Sequence, residues 1–181
     1  MLCLMQQQRE TLVAQLRERG ITYLAPSDAV ATEATPSDAA LLVALVEQAD
    51  ARLQLALIPL LLRHPELAEC VCAVVHQSNP KLSLELQTLY MAAVYLQRYW
   101  KTRLGLYLDT RTQLPDLFSR QLDLPPAEER FGKNGLYDLA DAWQARSRYP
   151  FDRLAALNNV MDLFFEQLKL EKMAENLAPT S

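Results

Sequence analysis

Glycine is scarce in this chain, with 4 residues in 181, and β-branched residues are few beside the abundant Leu and Ala. Summed over many windows, that bias favours helix. No stretch alternates apolar and polar residues as a strand would. Cysteine is nearly absent too. Cys3, Cys70 and Cys72 form an odd set without the spacing of a disulfide framework, so a reducing cytoplasm is the expected location. At this length a chain buries roughly 70% of its unfolded surface and needs no covalent or metal staple. Long hydrophobic runs are missing. Leu55–Leu62 is far short of the ~20 residues of a membrane span, so no membrane role is expected. The opening Met1-Leu2-Cys3-Leu4-Met5 runs straight into Gln-Gln-Gln-Arg-Glu, without the basic start and apolar core of a signal peptide.

Charge of one sign is also in short supply. The formal net charge is −4, which argues mildly against a dedicated nucleic-acid coat. The residues Met1–Leu60 carry 4 basic and 7 acidic groups, Leu61–Arg120 carry 7 and 5, and Gln121–Ser181 carry 7 and 10. The middle third is therefore where a polyanion would more readily bind. Catalytic signatures are missing: there is no Gly-x-Ser-x-Gly, no His-Glu-x-x-His and no dinucleotide fingerprint, and only two histidines occur.

The helical periodicity is plain. Leu4–Arg19 forms an amphipathic helix with Leu12, Val13 and Leu16 on one face, and Gly20 sits where a left-handed cap belongs. Two copies of Pro-Ser-Asp-Ala, at 26–29 and 36–39, supply helix-start residues. A short helix or turn is expected after the first and a full helix, Asp38–Gln48, after the second. Ala51–Arg63 and Glu66–Gln77 form an apolar hairpin broken at Arg63-His64-Pro65, with Pro59 kinking its first arm. The long helix Lys81–Leu104 carries Leu82, Leu86, Leu89, Ala93, Leu96 and Trp100 as a core stripe. A short helix is predicted over Pro115–Gln121, one turn at Glu128–Arg130, a turn at Phe131–Gly135, and helices over Leu136–Ser147 and Asp152–Glu175. The last places Leu154, Leu157, Met161, Phe164 and Leu168 on one stripe. Asn176–Ser181 is expected to fray.

The hairpin resembles one HEAT repeat. Leu57-Ile58-Pro59-Leu60-Leu61-Leu62-Arg63-His64-Pro65 followed by Val71–Val75 gives a proline-bearing helix, a short turn with a second proline, and an apolar second helix. The resemblance covers about one repeat length of a family with a period of ~40 residues. The usual acidic turn residue and early basic residue are replaced here by His64 and Cys70-Val71-Cys72, and no second copy follows. The implied architecture is a single central hairpin covered by other helices. The fold expected is all-α, an irregular multi-helix bundle of roughly seven to eight helices. It has an N-terminal core, 1–124, and a C-terminal hairpin, 125–181, packed on it as one unit.

Candidate chemistry is sparse. Cys72 and His76 lie one turn apart near Cys70 and His64, but buried cysteines with a helix-end histidine explain them, so no metal and no cofactor are expected. Asp138 and Asp141, near Glu128 and Glu129, offer paired carboxylates, and the Gly-containing turn before them offers amides. An enzyme with an acidic site near 128–141 is the third reading. The strongest cluster interleaves base and aromatic: Tyr95, Arg98, Tyr99, Trp100, Lys101, Arg103 and Tyr107, echoed by Arg146, Arg148 and Tyr149. Tyr95, Arg98, Tyr99, Lys101, Arg103, Arg146 and Arg148 are the residues expected to form a partner or nucleic-acid surface. The first reading is a non-enzymatic protein–protein interaction module or homo-oligomer, such as a regulatory or antitoxin-like subunit. The second is a nucleic-acid-binding regulator using the patch on the 81–104 helix.

Overall fold

The computed structural model describes residues 2–24, 37–108, 112–147 and 151–177, with side chains from residue 6 onward. The stretch after the first Pro-Ser-Asp-Ala copy and residues 178–181 lie outside the described residues. Every regular element among those described is helical, as expected. In chain order they are α1 (Leu2–Glu18), α2 (Asp38–Val46), α3 (Ala51–Leu55), α4 (Leu57–Arg63), α5 (Leu67–Gln77), α6 (Pro80–Tyr99), α7 (Lys101–Leu104), α8 (Lys133–Arg146) and α9 (Arg153–Leu177).

Local chemistry sets the boundaries. At the end of α1, Gly20 adopts φ +79. Its N–H donates to the Arg17 carbonyl at 2.9 Å, and the Ile21 N–H donates to Leu16 at 2.8 Å. That is the Schellman arrangement, with Leu16 and Ile21 both fully buried beneath it. Ser37 caps α2 by accepting from the Ala40 N–H, and Asn79 caps α6 by accepting from Lys81 and Leu82. The kink foreseen at Pro59 becomes a full division. Pro59 has no N–H to give the Leu55 carbonyl, so the helix breaks at Ala56 and the proline falls in the first turn of α4. Likewise the long helix ends at Tyr99, and Trp100 separates it from α7.

The centre of the molecule is α6. Every residue from Thr88 to Arg98 is buried, so this helix is covered on all sides. The elements packed on it are α2, α4, α5 and α8, together with a 3-10 turn at Glu129–Gly132. The apolar hairpin expected at the hub is covered by the chain itself: Leu57–Leu62 are all buried, and α4 packs on α2, α6 and α9.

Two expectations fail locally. Residues 115–121 do not form a helix; they run as an extended segment and turns. Their polar groups find partners elsewhere. The Pro115 carbonyl accepts from the Tyr90 hydroxyl at 2.9 Å, and Asp116 accepts from the N–H groups of Ser119 and Ala127 at 3.1 and 2.9 Å. With Leu114, Phe118 and Ala127 buried, the segment is a strap laid across α6 rather than a helix of its own. The second failure is at 131–135. The turn there is shorter than expected, and Lys133–Gly135 already belong to α8. Arg130, Phe131 and Gly132, with φ +45, +57 and +77, form a left-handed corner. An added Cβ at Gly132 would meet the Tyr95 carbonyl oxygen at 2.6 Å.

Candidate functional site

The base–aromatic cluster divides once the strap is in place. Tyr95 and Arg98 lie in the interior, at 0% and 7% exposure. The Tyr95 hydroxyl donates to the Pro125 carbonyl at 2.6 Å. The Arg98 guanidinium donates to the Gln97 side-chain oxygen and the Leu114 carbonyl, each at 2.8 Å, and to Glu128 at 2.6 Å. Gln97 in turn accepts from the Leu114 N–H at 2.8 Å. These residues rivet the strap to α6. Burial also pushes the Tyr90 and Tyr95 phenols above their ordinary pKa; Asp116 adds to both shifts, whereas Arg98 opposes that of Tyr90.

Tyr99, Lys101 and Arg103 stay near the surface at the far end of the helix. There the Arg103 guanidinium lies 3.8 Å from the Phe165 ring centroid and Tyr99 packs edge-on against Trp100. Arg146 lies elsewhere, donating to the buried Thr88 hydroxyl at 3.0 Å, and Arg148 falls outside the described residues. Among the described residues, the structure therefore does not gather the predicted positions onto one face.

Other candidates spread similarly. His76 approaches the Cys72 carbonyl at 2.6 Å, and no group of three metal-ligating side chains occurs among the described residues. Asp138 and Asp141 are exposed on α8, and Glu129 accepts from Asn134. No helix among those described is long and apolar enough to cross a membrane.

Two features emerge that sequence reading missed. The first is the outer face of α9. Its inner face carries Leu157, Met161, Phe164, Phe165 and Leu168, all buried as expected. The helix is held in place by Gln167. The Gln167 side-chain oxygen accepts from the N–H groups of Thr22 and Tyr23 at 2.8 and 3.1 Å, and its amide donates to the Gly20 carbonyl at 2.6 Å. Arg63 pairs with Glu171 at 2.5 Å beside it. On the opposite face Leu163, Leu170, Met173 and Leu177 are 42%, 64%, 51% and 81% exposed. The leucines recur every seven residues, and Met173 lies three beyond Leu170. That is the spacing of a coiled-coil seam, and it was present in the sequence beside the inner stripe.

The second feature is a cleft of about 760 Å³ where the ends of α2 and α8 meet the starts of α6 and α9. Lys81, Glu85, Trp143, Arg146, Phe151 and Arg153 line it, with Glu47 at the α2 side. The Arg153 guanidinium lies 4.5 Å from the Trp143 centroid and 5.3 Å from that of Phe151, and donates to the Ser147 hydroxyl at 2.8 Å. Burial lowers the Arg153 pKa below the ordinary arginine value, with Glu85 opposing. Compared with protein-family models, with curated proteins and with solved structures, the chain gives no significant match in any of the three.

Proposed function

We propose that this protein is a non-enzymatic interaction module that self-associates through the outer face of α9. The observation carrying this reading is the second apolar stripe on a helix whose first stripe is already satisfied. Leu163, Leu170, Met173 and Leu177 leave on the order of 400–500 Å² of surface exposed along one line. A standard interface takes ~800 Å² from each partner, of which about two thirds is apolar in homodimers, so the stripe is the right size for the core of such a contact. A second copy is the occupant that suits it, because a two-fold contact needs one self-complementary patch.

The charges on the helix favour an antiparallel arrangement. A parallel, in-register pair would set Glu166 against its own copy inside the seam. Antiparallel packing centred on Leu170 places Leu163 against the partner's Leu177 and separates the two carboxylates. Size-exclusion chromatography with light scattering tests the reading. The unmodified chain should run as a dimer, and Leu170→Glu should run as a folded monomer whose melting temperature no longer depends on protein concentration, since the side chain is exposed in one copy. A chain that stays monomeric at high micromolar concentration, or a dimer indifferent to Leu170→Glu, overturns it.

A further inference from the structure

The cleft between α6, α8 and the start of α9 is independent of that seam, and its chemistry points to a ligand. Its volume of about 760 Å³ lies in the ~300–1,000 Å³ range of small-molecule sites. Three cations, Lys81, Arg146 and Arg153, line it, and none is in an ion pair with any described residue. Arg98, in the interior, uses three acceptors. Arg153, like Arg63, keeps a buried Nε with no hydrogen-bond partner among the described residues, and its guanidinium lies beside the Trp143 and Phe151 rings. A buried N–H without an acceptor is unfavourable, so an acceptor that reached it would be bound more tightly. Among the described residues Arg146 makes one side-chain hydrogen bond, to Thr88. Phe151, 47% exposed, offers an apolar wall beside them.

The two carboxylates in the cleft, Glu47 and Glu85, define what the acceptor can be. Among the described lining residues, three cations against two carboxylates leave a surplus of one positive charge, which suits a monoanion better than a dianion or a polyanion. A guanidinium fork matches a planar carboxylate in two-point geometry. We propose that the cleft binds a small organic monocarboxylate, its carboxylate held by Arg153 and Arg146 and its flat apolar body resting on Phe151.

Isothermal titration calorimetry on the full chain with benzoate, inorganic phosphate and acetate tests this. Benzoate should bind saturably in the micromolar to low millimolar range. Phosphate, lacking the flat body and carrying more charge, should bind at least ten-fold more weakly, and so should acetate. Arg153→Gln should weaken benzoate at least ten-fold. Because that change also removes stacking on Trp143, the exposed Arg146→Gln serves as the second variant, with the same expected direction and an unchanged melting temperature. The proposal is overturned if benzoate shows no saturation at millimolar concentration, if Arg146→Gln binds as the unmodified chain does, or if phosphate binds as tightly as benzoate. Binding should persist in Leu170→Glu, which separates this site from the self-association seam.

Discussion

Replacing Arg98 by Met tests whether the middle of α6 is a rivet or a binding surface. The methionine stem fills most of the space of the arginine stem, so the change removes chiefly the guanidinium. Three bonds are lost. The one to Glu128 matters least, because that carboxylate is 75% exposed and returns to water. The Gln97 oxygen keeps the Leu114 N–H. The Leu114 carbonyl, on a residue with no exposed surface, loses its donor from Arg98. Hydrogen bonds to charged groups contribute about 1.5–3 kcal/mol each, and a stranded buried acceptor costs about 1–3 kcal/mol. Relief from burying a guanidinium offsets part of this. The net loss should be about 2–4 kcal/mol.

For a chain of this size each kcal/mol moves the melting temperature by ~2–4 °C, so a fall of roughly 5–15 °C is expected in a calorimetric or circular-dichroism melt. Glu128→Gln is the companion: it should stay within about 0.5 kcal/mol of the unmodified protein. A surface arginine would behave in the opposite way, with melting almost unmoved and partner binding lost. An Arg98→Met protein melting within ~2 °C of the original would refute the rivet and return Arg98 to the candidate surface.

Two further perturbations probe the same centre. Gly135→Ala should destabilise despite alanine's helix preference of about 1 kcal/mol, because the new Cβ falls on the edge of the Tyr95 ring, whose hydroxyl is tied to Pro125; overpacking of about 1–3 kcal/mol wins, and a chemical-denaturation midpoint that rises would contradict it. Alkaline pH should unfold the protein: burial holds the Tyr23, Tyr90 and Tyr95 phenols neutral in the fold, whereas in the unfolded chain they ionise near about pH 10, so their stabilisation is complete below that value and is lost as pH rises through and above it. Near-ultraviolet phenolate absorbance should then rise together with loss of helical circular dichroism, and phenols that all titrate before any unfolding would speak against the buried placement.

Helical period carries information about one face at a time, and this explains which elements were legible. The α1, α6 and α9 inner stripes read directly, because residues three and four apart lie on one side of a helix whatever covers them. Gly20 and Pro59 read correctly because φ > 0 and a missing N–H are properties of single residues. The strap did not. Leu114, Leu117 and Phe118 have helix-like spacing, but the carbonyls of Leu114 and Pro115 accept from Arg98 and Tyr90, side chains far back in the chain. The same long-range pairing hid the true position of Tyr95 and Arg98, which look amphipathic in sequence and are covered only when the strap arrives. The cleft was the least legible feature. In sequence Arg146 reads as an echo of the basic patch, yet Phe151 and Arg153 acquire meaning only through Trp143, on the preceding helix.

The way α9 is anchored bears on both proposals. Gln167 and the Arg63–Glu171 pair lock its inner face to the α1–α2 connection and to α4, so its outer leucines are presented on a preset rod. Two copies meeting there order little chain, and association keeps more of the gross contact energy than a flexible segment would. The rod also separates the two sites. Arg153 stands at its first residue and Leu170 seventeen residues on, about 25 Å along the axis at the helical rise. A carboxylate at one end therefore makes no contact with a partner at the other. Without differential contacts in the two oligomeric states a ligand shifts no equilibrium between them. Benzoate affinity should thus be the same in dimer and monomer, and saturating benzoate should leave the dimer dissociation constant unmoved. A change in either would mean that the rod transmits strain along its length, and that the anchor at Gln167 is a hinge instead of a lock.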